Sequence, residues 1–278
     1  MLHELDHIAA MLDKNNVRET ERLLRRLTST VRLFIPKLSV LETMIPSDFI
    51  QFRDNLKPAS GFQSKQFREV VVICGARDPR YLAMFDDNPD AKRRLEARLG
   101  EPSLWDRFVR LLERLGMEVG NGKAQEDIIV QIYSNPDHHE LKILCEAMIE
   151  YDEMFSLWRE HHVRMAQRMI GQKPGTGQKL VDGAFGQGPL GTMGVEYLSQ
   201  TLDKRFFPVL WAARTGMWWA GSIAPPNLAR GVIRFRGVLN HGVGQGHQRY
   251  AFPCEKRTSP VCIELGNQLM VVTTCRSK

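Results

Sequence analysis

Apolar residues recur at three- and four-residue steps through the first 216 positions, as in Leu5, Ile8, Ala9 and Leu12 and again in Leu23, Leu24, Leu27 and Val31. That spacing collects them on one face of a helix, so the pattern predicts a mostly α chain of successive amphipathic helices. Breakers at Asn15-Asn16, Pro36, Pro46, Pro58 through Gly61, Gly100 with Pro102, Gly120 through Gly122 and Pro136 divide them. The only strand-like run in this part is Val70 to Cys74, short enough to be a buried helix turn instead. Eight glycines between Gly171 and Gly194 predict loop, because so many permissive residues do not sustain a helix. After Gly216 the period is lost: Trp218-Trp219, Pro225-Pro226, seven glycines and patches such as Met270-Val271-Val272 replace it. The expected division is a helical domain at 1–216 and an irregular basic tail at 217–278. That tail reads either as a small β-prone appendage or as a frameshifted end.

Composition narrows the class. With 278 residues, 43% hydrophobic and 25% charged, the chain can bury one sizeable core. No run approaches the roughly 18 apolar residues of a membrane helix, and the N-terminus lacks the order of a secretion signal. Five scattered cysteines, Cys74, Cys145, Cys254, Cys262 and Cys275, build no disulfide framework and suit a reducing cytoplasm. The net charge of +6 resides in residues 217–278, where eight Lys and Arg meet only Glu255 and Glu264. Residues 1–216 hold 30 charges of each sign, so the main body offers no footprint for nucleic acid.

Two predicted helices carry candidate chemistry. One runs from about Ser47 to Leu56, with Ser47 as N-cap, Asp48 in the first turn and Pro58 beyond its end. Phe49, Arg53 and Leu56 share a face, which holds a guanidinium between apolar neighbours. It needs an anion there: a small carboxylate bound in bidentate fashion, or a structural partner such as Glu42 or Asp54. The other helix runs from Met154 to Ile170 and stops at Gly171. Phe155, Trp158, His162, Met165 and Met169 form one stripe on it, whereas His161 lies with Arg164 and Arg168 on the polar face. His162 is therefore the inward histidine, placed either as an axial haem ligand or as a satisfied core residue.

Other signals carry less. Gly186 to Gly191 matches a dinucleotide-binding glycine pattern but no strand precedes it, and Lys173 to Gly177 lacks the ending of a phosphate loop. His241, His247, Cys254 and Cys262 do not show zinc-site spacing. His138-His139 reads as a solvated helix start.

Taken in order, these residues resemble the tryptophan 2,3-dioxygenase family. The matching strings are LHELDHIAAML (2–12), SVLETMIPSDFIQFRDNLKPASGFQSKQFRE (39–69), EPSLWDRFVRLLERLG (101–116), FSLWREHHVRMAQRMIGQKPGTG (155–177) and GVEYLSQTLDKRFFPVLWAART (194–215). The resemblance implies a helical bundle of the tryptophan/indoleamine 2,3-dioxygenase type, assembled as a homotetramer. It implies a haem b whose iron takes His162 as proximal ligand, and a reaction that inserts both atoms of O2 into L-tryptophan to give N-formylkynurenine in tryptophan catabolism. It assigns the substrate carboxylate to Arg53, the indole pocket to Phe49 and Leu56, a place near haem and substrate to Ser60, and the ammonium and carboxylate groups to Thr176.

The chain also departs from the family. The HQxxELW helix with a distal histidine would precede LHELD, and His3 and His7 are not its equivalents. Residues Gln178 to Leu190 interrupt the GTGGSSG loop, and the tail at 217–278 has no counterpart. The expectation is a truncated or misassembled family member with weak turnover. The alternatives are a related haem oxygenase acting on another aromatic substrate, or a non-catalytic haem-binding fragment.

Overall fold

Asn16 opens the fold's second helix by accepting the Glu19 N–H at 3.1 Å, after a turn in which Asn15 takes a left-handed φ of 58°. Asparagine suits both positions: its short amide mimics a backbone acceptor, and it tolerates that backbone region. In the computed structural model, which describes residues 1–57, 64–176 and 194–219 and the backbone of five short strands between 187 and 275, helix α1 spans Leu2–Asp13 and α2 Val17–Arg32. Leu5, Ile8 and Leu12 of α1 and Leu23, Leu24, Leu27 and Val31 of α2 are buried, as their spacing requires. Each such side chain stabilises the fold by about 1.5–3 kcal/mol when fully buried. Thr28 sits among them and satisfies its hydroxyl by donating to the Leu24 carbonyl at 2.9 Å.

Short helices follow: α3 at Phe34–Leu41, α4 at Pro46–Arg53, α5 at Lys65–Ile73, α6 at Pro89–Gly100, α7 at Leu104–Arg114 and α8 at Lys123–Ser134. Then α9 runs unbroken over the 32 residues His139–Ile170, followed by α10 at Val195–Ser199 and α11 at Pro208–Trp219. α9 is the spine. α2, α3, α4, α8, α10 and α11 all pack on it, and α1 bridges α2 to α7. Asp152, fully buried on α9, accepts the Phe206 and Phe207 N–H groups at 3.0 and 3.1 Å and the Trp211 indole N–H at 3.0 Å. A carboxylate in the core demands such donors, and here they fix the start of α11.

Three helix boundaries differ from the sequence expectation. α9 begins at His139 rather than Met154, because Leu141, Leu144, Cys145 and Met148 continue its buried face upstream. Pro136–His138 is a 3-10 turn leading into it, with His139 exposed. α4 starts at Pro46, not after it: Ile45 stands at the cap position and the preset proline φ occupies the first helical residue, so Ser47 is no cap. It ends at Arg53, and Asp54–Leu56 tighten into a 3-10 turn. The strand-like run takes its helical alternative: Val70 to Ile73 belong to α5 and Cys74 is its C-cap, while Ser64 caps the helix by accepting the Phe67 N–H at 3.3 Å.

By backbone contacts the chain divides into Met1–Trp219 and Ala220–Lys278. Within 220–278 three antiparallel strands stand in the order β3 (Ile233–Arg234), β5 (Gln268–Cys275), β4 (Thr258–Leu265). Their register pairs Thr258 with Cys275 and Leu265 with Gln268. Apolar residues run continuously through Val261–Ile263 and Leu269–Val272 without alternating with polar ones, which is why no period of two marks these strands in the sequence. Two further short strands, β1 at Gln187–Gly188 and β2 at Gly191–Thr192, pair within the glycine-rich stretch. The rest of the Gln178 to Leu190 insertion lies outside the described residues. Among the described residues no helix is long and apolar enough to cross a membrane.

Candidate functional site

Trp158, His162, Ala166 and Ile170 stand four residues apart on α9 and make one ridge along the wall of a cavity of about 1160 Å3. Phe67, Arg68 and Val71 of α5 face it, and Gly194 and Leu198 of α10 close another side. α10 is held on α9 by a small apolar cluster of Val163, Ala166 and Val195. The stripe expected from sequence drifts here: Met165 and Met169 give way to Ala166 and Ile170 as the residues that line the cavity.

Trp158 is wedged edge-on against Phe34 and Phe155, with Phe67 at 5.6 Å between centroids. It in turn stacks on the His162 imidazole, with centroids 5.6 Å apart and planes at 25°. Burial pushes the His162 pKa below its ordinary value, because the cation loses its hydration there; the neutral ring with an available nitrogen is favoured. His161 points elsewhere. Its Nε2 is 3.6 Å from Glu42 and has no hydrogen-bond partner among the described residues, while Arg168 approaches the other oxygen of Glu42 at 3.8 Å.

Arg53 reaches from the last turn of α4 to the segment after α9, where its Nη2 donates to the Pro174 carbonyl. The carboxylates offered as structural partners are engaged otherwise: Asp54 pairs with Lys57 at 2.8 Å, and Glu42 lies against α9. The Lys57 hydrogen bond holds the Asp54 carboxyl below its usual pKa. Two residues past Pro174, half-buried Thr176 lines the cavity, as does Leu56. Phe49 packs edge-on against Phe52 at 5.3 Å and is not one of the lining residues. Ser60 lies outside the described residues. The structure thus gathers His162, Leu56 and Thr176 around one cavity and ties Arg53 to its rim.

The sequence does not single out the cavity's polar end. The Arg68 guanidinium lies 3.8 Å over the Tyr81 ring, and buried Arg159 donates to the Lys204 carbonyl. The only trace of Arg159 in the sequence is its position three residues before His162, one helical turn away on the same side.

A haem requires a neutral imidazole nitrogen, apolar walls and a cavity with room for the macrocycle. His162, the Trp158–Ile170 ridge with Phe67 and Val71, and the cavity's size meet all three conditions.

The sequence model of tryptophan 2,3-dioxygenase matches residues 1–120 and 103–217. A tryptophan 2,3-dioxygenase of Herpetosiphon aurantiacus is 36% identical over 228 residues, covering 78% of this chain and 82% of the relative. One from a Nocardioides species is 37% identical over 197 residues (70% and 69%), and one from Myxococcus xanthus 32% over 229 residues (77% and 74%). The family match runs through residues 1–217, relatives at 32–37% identity cover 70–78% of the chain, and the chain belongs to the tryptophan 2,3-dioxygenase family.

Proposed function

We propose that this chain is a dioxygenase that opens the indole ring of L-tryptophan with O2 to give N-formylkynurenine, the entry to the kynurenine pathway, with a haem b held by His162. The observation that carries this reading is the cavity-facing His162, whose burial favours the neutral ring, in a pocket whose rim joins Arg53 to the Thr176 segment. When bound, the haem supplies the redox-active iron at which O2 reacts.

The chain's own residues bind and orient the substrate. Arg53 holds the substrate carboxylate: one of its five N–H donors is committed to Pro174, which fixes the plane of the guanidinium and leaves the rest of the fork for a carboxylate. Thr176, on the same segment, offers a hydroxyl to the ammonium and carboxylate groups. Leu56 offers apolar surface to the indole; the family pattern also assigns Phe49 to the indole, though it is not among the cavity's lining residues, and Ser60 to the vicinity of haem and substrate. Holding both ends of the amino acid converts a bimolecular encounter into a positioned one, and much of the rate comes from that positioning. Trp158 stacks with the His162 ring, centroids 5.6 Å apart, which favours this orientation of the imidazole.

The assembly is a homo-oligomer, a tetramer as in the family. Exposed apolar side chains on α3 and α4, Val40 and Ile45 foremost, support this. Free, buried Cys74 and Cys145 accord with a reducing, cytoplasmic setting. The deciding assay adds L-tryptophan to reduced, haem-loaded protein under air and looks for N-formylkynurenine. Haem uptake without product, across a range of tryptophan concentrations, would reject the catalytic reading.

A further inference from the structure

We propose that Gly194 is a positioning residue for the carboxylate side of this pocket. Because it has no side chain, the N-terminus of α10 can press on the backbone of Lys173–Gly175, which fixes both Thr176 and the carbonyl that holds Arg53. The inference rests on the proposed tryptophan pocket and deepens it.

Among the described residues, three glycines share one unusual backbone conformation. Gly122 has φ 57° and ψ −121°, Gly171 has φ 59° and ψ −135°, and Gly194 has φ 54° and ψ −118°. Any L residue is strained there, so conformation alone explains a glycine at all three. Their surroundings differ. A Cβ on Gly122 or Gly171 would meet nothing within 4 Å, whereas on Gly194 it would stand 2.8 Å from the Lys173 oxygen and 3.4 Å from the Gly175 nitrogen. Both atoms are backbone, so no side-chain rotation relieves the overlap and one segment has to move.

The helix is the better anchored of the two. Val195, the next residue, is buried between Val163 and Ala166 of α9, and Leu198 packs on the same cluster. Residues 171–174 are exposed, with Lys173 tied back by its N–H to the Ile170 carbonyl at 3.2 Å. A side chain at 194 therefore displaces the 173–175 segment. That segment carries the Arg53 anchor at Pro174 and leads directly into Thr176, so both polar contacts to an amino acid's head group shift while His162 and the α9 ridge stay in place.

The test compares Gly194→Ala with Gly122→Ala in the full-length, haem-loaded protein. Dissociation constants for L-tryptophan and for indole are read from the Soret change, and amide exchange of residues 172–176 is measured in the haem-free protein. Gly194→Ala is expected to weaken tryptophan at least about tenfold and to speed exchange at Gly175 and Thr176. Indole, which lacks the head group, should keep its affinity. Gly122→Ala, with the same backbone strain, should lower the melting temperature similarly and leave both affinities and the exchange untouched. Equal losses for indole and tryptophan, or no change in tryptophan affinity, would overturn the proposal. A wild-type protein that binds haem but no tryptophan would remove the pocket reading alone; unchanged exchange at 172–176 in Gly194→Ala would then overturn the Gly194 role separately. Should Gly194→Ala not fold, Pro174→Gly at an exposed position loosens the same segment. It is expected to weaken tryptophan and spare indole, and the absence of that selectivity counts against the proposal.

Discussion

At residue 162 a single helical step separates two histidines with different tasks. His162 faces the cavity beneath Trp158, and His161 faces Glu42. Replacing His162 with Ala should abolish the Soret band of haem-loaded protein while His161→Ala keeps it; a band that survives only in the His162 variant would reverse the assignment. Arg53→Lys keeps the charge but loses the planar fork, so tryptophan binding should weaken at least about tenfold while the melting temperature changes little. A variant that binds normally and unfolds easily would instead mark Arg53 as a strut between α4 and Pro174. Cys74 is fully buried, its sulfur 3.7 Å from the Tyr151 hydroxyl, and burial pushes its thiol up to about 12. Burial likewise raises the Cys145 thiol. Because the thiolate is the nucleophile, iodoacetamide at pH 8 should leave both unlabelled in the native protein and label both in urea, as peptide mapping can read.

At the scale of elements, Asp152 shows how one side chain ties two helices. Asp152→Ala would strand the Phe206, Phe207 and Trp211 donors in the core and cost roughly 3 kcal/mol, a destabilisation to be read from urea unfolding. Nothing local in the sequence marks this hub, because its partners lie more than fifty residues away. Local features were legible: the buried steps of α1 and α2, the inward phase of His162, and the place of Arg53 on its helix. Boundaries were less so. Pro46 and Ser47 compete for the start of α4, and a proline at the first helical position excludes the serine cap. The start of α9 lies upstream of Met154 because Leu141, Leu144, Cys145 and Met148 already keep the helical step, with Lys142, Glu146 and Glu150 as a separate polar stripe. The Gly194 contact was illegible for a different reason: three glycines look alike in sequence, and only the backbone of Lys173–Gly175 distinguishes one of them.

Over the whole molecule, charge and apolar surface suggest what the chain meets. Residues 1–216 are neutral overall, so no broad basic face directs this part to a polyanion. Apolar surface is another matter. α3 buries none of its residues, and Leu33, Val40, Leu41 and Ile45, clustered along α3 and the approach to α4, are 58%, 67%, 49% and 62% exposed. Single exposed leucines are ordinary, but four within thirteen residues next to the elements that carry Arg53 form a surface that gains by being covered. In the proposed homo-oligomer a second copy covers it, and burial of each side chain contributes about 1.5–3 kcal/mol before the cost of association. The double substitution Val40→Lys, Ile45→Lys places two like charges on that surface and removes two of its largest apolar contacts. Sedimentation should show a smaller species than the wild type, with helical content unchanged by circular dichroism, since neither side chain enters the core. An undiminished mass would move the interface to another face. A loss of helix would show that α3 depends on these residues within the single chain.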